Sequence, residues 1–348
     1  MRILLLSFGL GQYYCNYPIE EEFINRGHHT DSICVSAFQL FKECNEMNIE
    51  SYDVVIANDL KFVDDIKRLK IKSKLLVGCI HTLAPKDENW LRNMMRANVD
   101  LSIEPGKYVL KTLGNDLDKY KDRIFLGGFP KTDYLIRNKD KKKEIRNILL
   151  NRFNFNKDYP IILYAPTYST GWHAGGTFIY CEKIYNILKK EKLNLIIGPH
   201  PGDQPLLHKM TGLENCDNIR ICLDFNKNDL ILGSDLVISD NSSIVLEASL
   251  AEVPIMQLFK EEGLEATHLY SNPEQREFII GDAVIIPKGF NILAKHIWTS
   301  MKNNPKEVEL NYWLSELCSD VTGNDAKRYV DEIERRLFFK YLKAQGDK

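Results

Sequence analysis

The eight cysteines, at 15, 34, 44, 79, 181, 216, 222 and 318, never fall into a CxxC pair, which removes the usual zinc-knuckle and dithiol redox motifs. No stretch reaches the roughly 18 consecutive apolar residues that would span a bilayer. The opening MRILLLSFG is too short in apolar length for a secretory leader and lacks its small-residue cleavage site. Charge of either sign is not in excess: 46 Lys and Arg stand against 48 Asp and Glu, a net charge of −2, so nothing global draws the chain to nucleic acid. Low-complexity tracts and sequence repeats are missing, and so is ligand spacing for a metal; the adjacent His28 and His29 sit just past a helix end, where polar caps are common. Gly9 and Gly11 give G-x-G without the third glycine of a dinucleotide fingerprint. The expectation is a reduced, cytoplasmic protein without nucleic-acid partner or metal.

What is present is a globular composition, 44% hydrophobic and 27% charged, in 348 residues. That is about twice the usual ~100–200 residues of a domain, so two domains with a cleft between them are expected. Short apolar runs recur with helix-length stretches between them. In the first half they are Ile3–Phe8, then 30–35, 53–58, 74–80, 100–105 and 124–130; in the second half 160–166, 193–200, 219–224, 235–240, 253–259 and 283–288. Strands alternating with helices specify parallel sheets with helices on both faces. Gly9-Leu10-Gly11 reads as a turn, with a helix over Tyr17–Arg26. The basic run Lys139–Lys143 reads as the crossing between halves, or as a solvated helix face. Boundaries are set at 1–140 and 150–320, with 321–348 as a closing helix carrying Tyr329, Ile333, Leu337 and Phe338 on the face that packs back on the first domain. In doubly wound sheets ligands bind at the carboxyl ends of the strands.

The most informative of those ends is SDLVISDNSSIVLEASL. A buried strand finishes at Ser239, and Asp240, Asn241, Ser242 and Ser243 precede a helix from about Ile244. One N-cap needs one such residue. Four in a row suit an anion site, where free backbone N–H groups and hydroxyls face a phosphate. Glu247, one turn on, is either an acceptor for ribose hydroxyls or a solvent-exposed acid.

Taken together, ILYAPTYSTG (162–171), GPHP (198–201), the element formed by Asp240, Ser242, Ser243 and Glu247, GGFPKTDYL (127–135) and DVTGNDAKRYVDEI (320–333) resemble the CDP-glycerol glycerophosphotransferase family, which builds teichoic-acid and related capsular polymers. The resemblance spans roughly 75–335. It implies a GT-B fold, two Rossmann-like α/β domains with an interdomain cleft, the first for the acceptor and the second for the nucleotide donor. It implies transfer of a glycerol-phosphate unit from CDP-glycerol to a hydroxyl of a cell-surface polymer or lipid-linked primer, with CMP leaving and no cofactor beyond the activated donor. By the same resemblance Ser242 and Ser243 hold the pyrophosphate with help from Thr167, Pro199 delivers His200 to the leaving phosphate, and Lys131, Thr132 and Asp133 form a further contact.

His81 follows the fourth apolar run and is the candidate general base, since an imidazole titrating near ~6.5 suits deprotonation of an attacking hydroxyl. The family's H-G-T-P-x-K pattern is HTLAPK here: histidine and lysine are kept, the proline is shifted and the glycine is gone. Two other readings keep the frame. One is a glycosyltransferase or epimerase using a nucleotide sugar, for which the opening FGLGQYYCNYPIEEEFINRGHHT speaks; the other is a non-catalytic polymer-binding protein. Peripheral contact with an anionic membrane is open through Lys139, Lys141, Lys142, Lys143, Arg146 and Arg152, or through Arg335, Arg336, Lys340 and Lys343 beside Leu337, Phe338 and Phe339.

Overall fold

The computed structural model describes residues 1–35, 51–58, 60–68, 71–79, 90–167, 180–200, 203, 213–223, 227–240, 242–260, 282–286, 288–302 and 307–346. The chain divides into two compact units. Met1–Asp133 joins Ser315–Lys348 in one, and Tyr134–Leu314 forms the other.

The first unit holds β1 (Arg2–Phe8), β2 (His29–Val35), β3 (Ser51–Ala57), β4 (Lys72–Cys79), β5 (Leu101–Glu104) and β6 (Ile124–Leu126) in the order β2-β1-β3-β4-β5-β6, every pairing parallel. Alternation of side chains along β1 explains its unbroken apolar run. Leu4 and Leu6 pack on one face with Val63, Leu91 and Met94, while Ile3 and Leu5 pack on the other with Ile19, Phe23 and the closing helix. A strand covered on both faces has no polar side to show.

The helix after β1 runs over Gly9–Asn25, eight residues earlier than the sequence suggests. The turn is Gly9 alone, at φ +72, and Gly11 is already helical. Pro18 lies inside this helix, and a proline nine residues past its first residue argues against a helix there when only the sequence is read.

The closing helix, Asp325–Gly346, belongs to the first unit and packs Tyr329, Val330 and Ile333 into its core. Phe338, expected on that buried face, is 58% exposed. The helix start is locked to the turn after β6. Asp133 accepts the backbone N–H groups of Asp325 (3.0 Å) and Ala326 (2.9 Å), Asp325 accepts that of Phe129 (2.6 Å), and the Tyr329 hydroxyl donates to the Gly128 carbonyl (3.1 Å). Two sequence blocks nearly 200 residues apart thus satisfy one helix N-terminus. Burial first, and the neighbouring charge of Asp133 second, push the Asp325 carboxyl up to about 7.

The second unit holds β7 (Ile161–Tyr164), β8 (Asn194–Ile197), β9 (Ile219–Ile221), β10 (Leu236–Ser239), β11 (Ile255–Lys260) and β12 (Asp282–Ile286), again all parallel, in the order β12-β11-β10-β7-β8-β9. One face of its core is built from Ile162, Tyr164, Leu195, Ile197, Leu236 and Ile238 against the helices Cys181–Leu188 and Leu293–Ser300. The first strand in sequence, β7, lies in the middle: the chain builds outward to β9 on one side, then returns to lay β10 to β12 on the other. The lysines 139 and 142 belong to this unit, where Lys139 pairs with Glu252 at 2.8 Å and Lys142 donates to the Glu252 carbonyl at 2.7 Å.

Candidate functional site

The reversal of strand order falls between β7 and β10, the position at which doubly wound sheets bind ligands outside the carboxyl ends of their strands. Three adjacent strand ends carry residues singled out in the sequence: Ser242 and Ser243 beyond β10, Thr167 beyond β7, and Pro199 with His200 beyond β8. Strands stand ~4.8 Å apart, so β10 to β8 is an edge of about 10 Å, the scale of a diphosphate with its flanking groups.

Asp240 holds the middle of this edge together. It is fully buried, its Oδ1 accepts the Thr167 backbone N–H at 2.9 Å, and its own carbonyl accepts from Gln257 Nε2 at 3.4 Å. Ser239 Oγ donates to the Ala165 carbonyl at 2.6 Å alongside. Expected among the donor-binding groups, Asp240 is instead turned inward onto Thr167. A buried carboxylate is tolerated because it accepts N–H groups, and facing a phosphate it would repel.

The serine pair splits into two roles. Ser243 Oγ donates to Glu247 Oε1 at 3.1 Å, and Glu247 is 1% exposed, which excludes a solvated acid at that position. A hydroxyl proton spent on Glu247 is not offered outward. Ser242 Oγ accepts the Ile244 N–H at 3.5 Å, the outer limit of a hydrogen bond, and is half-buried. Accepting that contact leaves its O–H able to donate. The helix behind them is Ile244–Leu250, as the sequence suggests.

His200 is exposed at the end of β8, with its carbonyl taken by the Asp203 N–H at 2.9 Å; Pro199 and Thr167 are buried. Lys227 was not singled out in the sequence. A side chain at position 198 would meet its Nζ at 3.4 Å, so the ammonium lies beside Gly198 at the same carboxyl edge. A lone lysine in FNKNDL carries no sequence signal, and only its approach to Gly198 shows where it points.

His81 and Asn241 lie outside the described residues. Lys131 belongs to the first unit, half-buried on the turn Pro130–Thr132, whose neighbours face inward: Thr132 Oγ1 donates to the Phe129 carbonyl at 2.8 Å and Asp133 caps the closing helix. Of the two expected contacts, Thr132 is therefore bonded within its own turn and Asp133 to the start of the closing helix.

The model of the CDP-Glycerol:Poly(glycerophosphate) glycerophosphotransferase family matches residues 81–266, a span that includes all three strand ends. The chain belongs to this family. Among glycerophosphotransferase relatives, the teichoic acid poly(glycerol phosphate) polymerase of Bacillus spizizenii is 26% identical over 269 residues, 73% of this chain and 64% of that protein, so the chain spans under two thirds of that relative's length. A variant of the wall teichoic acid polymerase TagF soaked with CDPG superposes with a TM-score of 0.64 at 15% identity, over 98% of this chain and 89% of that one. The UDP-GlcNAc 2-epimerase of Methanocaldococcus jannaschii gives 0.62 at 14% identity, over 96% and 100%. Likeness at that identity shows a shared fold, here the GT-B arrangement of two doubly wound units, and does not distinguish a glycerophosphotransferase from an epimerase.

Proposed function

We propose that this protein transfers a glycerol-phosphate unit from CDP-glycerol to a hydroxyl of a cell-surface polymer or its lipid-linked primer, releasing CMP. The observation that carries the reading is the donor-lined switch-point edge, Ser242, Thr167 and His200 on adjacent strand ends, lying inside the span matched by the family. The acceptor oxygen attacks the glycerol-bearing phosphorus, the bond from that phosphorus to the CMP oxygen breaks, and the acceptor proton passes to a base, for which His81 is the candidate. The second unit supplies charge stabilisation. Ser242 donates a hydrogen bond to the diphosphate, His200 and Lys227 neutralise the departing phosphate, and the Asp240–Thr167 contact keeps the crevice in shape. Ser243 and Glu247 hold the helix start behind Ser242. Chemistry of this kind is positioning plus electrostatics.

A cytoplasmic site of action, at the face of a membrane that carries the acceptor, completes the reading. No helix among the described residues is long and apolar enough to cross a membrane.

The test is CMP release from CDP-glycerol with candidate acceptors, run beside thermal shift with CDP-glycerol, CDP-ribitol and UDP-sugars, since a bound donor raises apparent stability by mass action. Stabilisation by CDP-glycerol is expected, together with a loss of ~10²–10³ in turnover for His200→Ala and for His81→Ala, the size typical of removed acid–base or charge-stabilising groups. Stabilisation by UDP-sugars alone, or normal turnover in both variants, would overturn it.

A further inference from the structure

Lys227 reaches Gly198 from the residue that opens the helix Asn228–Leu232. Five residues make little more than one turn, and a segment of that length does not hold itself in water. Its inner side is fixed by burial of Leu230, Ile231 and Leu232. Gly233, at its end, lies so close to the helix Lys142–Phe153 that a Cβ there would stand 2.5 Å from Leu149 Cδ1. Backbone bonds tie Lys227 into the same turn: its carbonyl accepts the Ile231 N–H at 2.8 Å, and the Asp229 carbonyl accepts that of Gly233 at 2.9 Å. Among the described residues, the exposed outer side is held through Asp229, whose Oδ1 accepts the Tyr134 hydroxyl at 2.7 Å.

That contact also settles where a negative charge goes. Asp229 stands two residues from Lys227, and a carboxylate within reach of an ammonium pairs with it and weakens what the cation offers a phosphate. Engaged by Tyr134, the carboxylate is turned to a neutral donor instead. The phenol suits that task over the whole working range of pH: burial first, and then the bond to Asp229, push its hydroxyl up to about 12, so it keeps its proton and adds no charge.

We propose that Tyr134 is a positioning residue for the strand-end edge: by holding Asp229 through its hydroxyl it keeps that carboxylate off Lys227, so the ammonium stays beside Gly198 on the strand that leads to His200. The proposal rests on the reading above for the presence of a diphosphate at this edge; it does not depend on which group that diphosphate carries.

The experiment compares the full chain with Tyr134→Phe, Asp229→Asn and the two combined, in CDP-glycerol turnover and in calorimetry with inorganic pyrophosphate, beside thermal melting. Phenylalanine keeps the ring and deletes only the donor. Expected for Tyr134→Phe is a fall of about fivefold in kcat/KM and in pyrophosphate affinity, the size of one exposed charge pair, at nearly the melting temperature of the parent. Adding Asp229→Asn removes the carboxylate that Lys227 would otherwise meet, so the combined variant should return to within about twofold of the parent, and Tyr134→Phe placed on Lys227→Ala should cost nothing further. A brace that only stiffened the turn would show no such rescue. Pyrophosphate binding with this pattern but no turnover of CDP-glycerol would keep the positioning role and remove the transfer reading. No loss in Tyr134→Phe, a loss that Asp229→Asn fails to restore, a full further loss on Lys227→Ala, or a parent that does not bind pyrophosphate would overturn the proposal.

Discussion

Asp240 Oδ1 accepts the backbone N–H of Thr167 at 2.9 Å across the junction of β10 and β7, so a carboxylate with no exposure ties two strand ends together where the strand order reverses. Replacing it with alanine leaves the Thr167 amide without its acceptor and a void beside it. A loss of roughly 2–3 kcal/mol in urea denaturation is expected for Asp240→Ala, with weaker CDP-glycerol binding by calorimetry. Asp240→Asn keeps an acceptor oxygen and should retain most of both. Unchanged stability in the alanine variant would remove the positioning role.

The two serines of the proposed diphosphate grip should part company on mutation. Ser242→Ala deletes an outward donor and is expected to lower kcat/KM by ~10²-fold or more at normal stability. Ser243→Ala removes the partner of buried Glu247, so stability falls by ~1–2 kcal/mol and activity falls less than in the first variant. Steady-state kinetics beside melting curves separate them, and the reverse ranking would reassign the donor.

Glycine has opposite meanings at 128 and 11. Gly128 sits at φ +90, and a Cβ there would lie 2.1 Å from the Asp325 carboxyl carbon, so Gly128→Ala should cost more than about 3 kcal/mol and unseat the closing helix. Gly11 is helical with nothing within 4 Å of an added Cβ, and Gly11→Ala should raise stability by ~0.5–1 kcal/mol. Thermal unfolding of the two variants makes the comparison.

The Asp325 carboxyl, raised from an ordinary 3.8 to about 7 by burial and then by Asp133, makes folding depend on pH in a fixed direction. The folded state keeps that proton where the unfolded chain has lost it. Its contribution is therefore neutral below about pH 4, and stability falls by up to ~1.4 kcal/mol per pH unit from there to about 7, then levels off. Arg328, 3.6 Å from Asp325, and Asp320, 3.4 Å from Arg328, modulate the size and not the sign. Asp325→Asn keeps the acceptor for Phe129 and removes the titration. The stability difference between parent and variant, followed by denaturation across pH 4–8, should drift against the parent; a flat difference would refute the shift.

The strands were legible because burial on both faces leaves continuous apolar runs, as in Ile3–Leu6, and all twelve expected runs contain or adjoin an observed strand. Helix Gly9–Asn25 was half hidden, since Gly-Leu-Gly and Pro18 read locally as breakers and only packing of Ile19 and Phe23 on β1 overrides them. The roles of Asp240, Asp133 and Glu247 were not legible. An Asp or Glu beside a helix start looks alike in sequence whether it meets a ligand, caps a distant helix or holds a neighbouring strand, and their partners lie up to 193 residues away. Lys227 was invisible for the same reason.

Lys340 also ties the closing helix to the amino end of β4, donating to the Lys74 carbonyl at 2.9 Å, while the other end of that strand, Cys79, stands two residues before His81. The five steps between Lys74 and Cys79 cover ~17 Å. The closing helix is thereby fastened to one sheet twice, at its start through Asp133 and midway through Lys340, so loosening either end pulls on the strand that stops just short of His81.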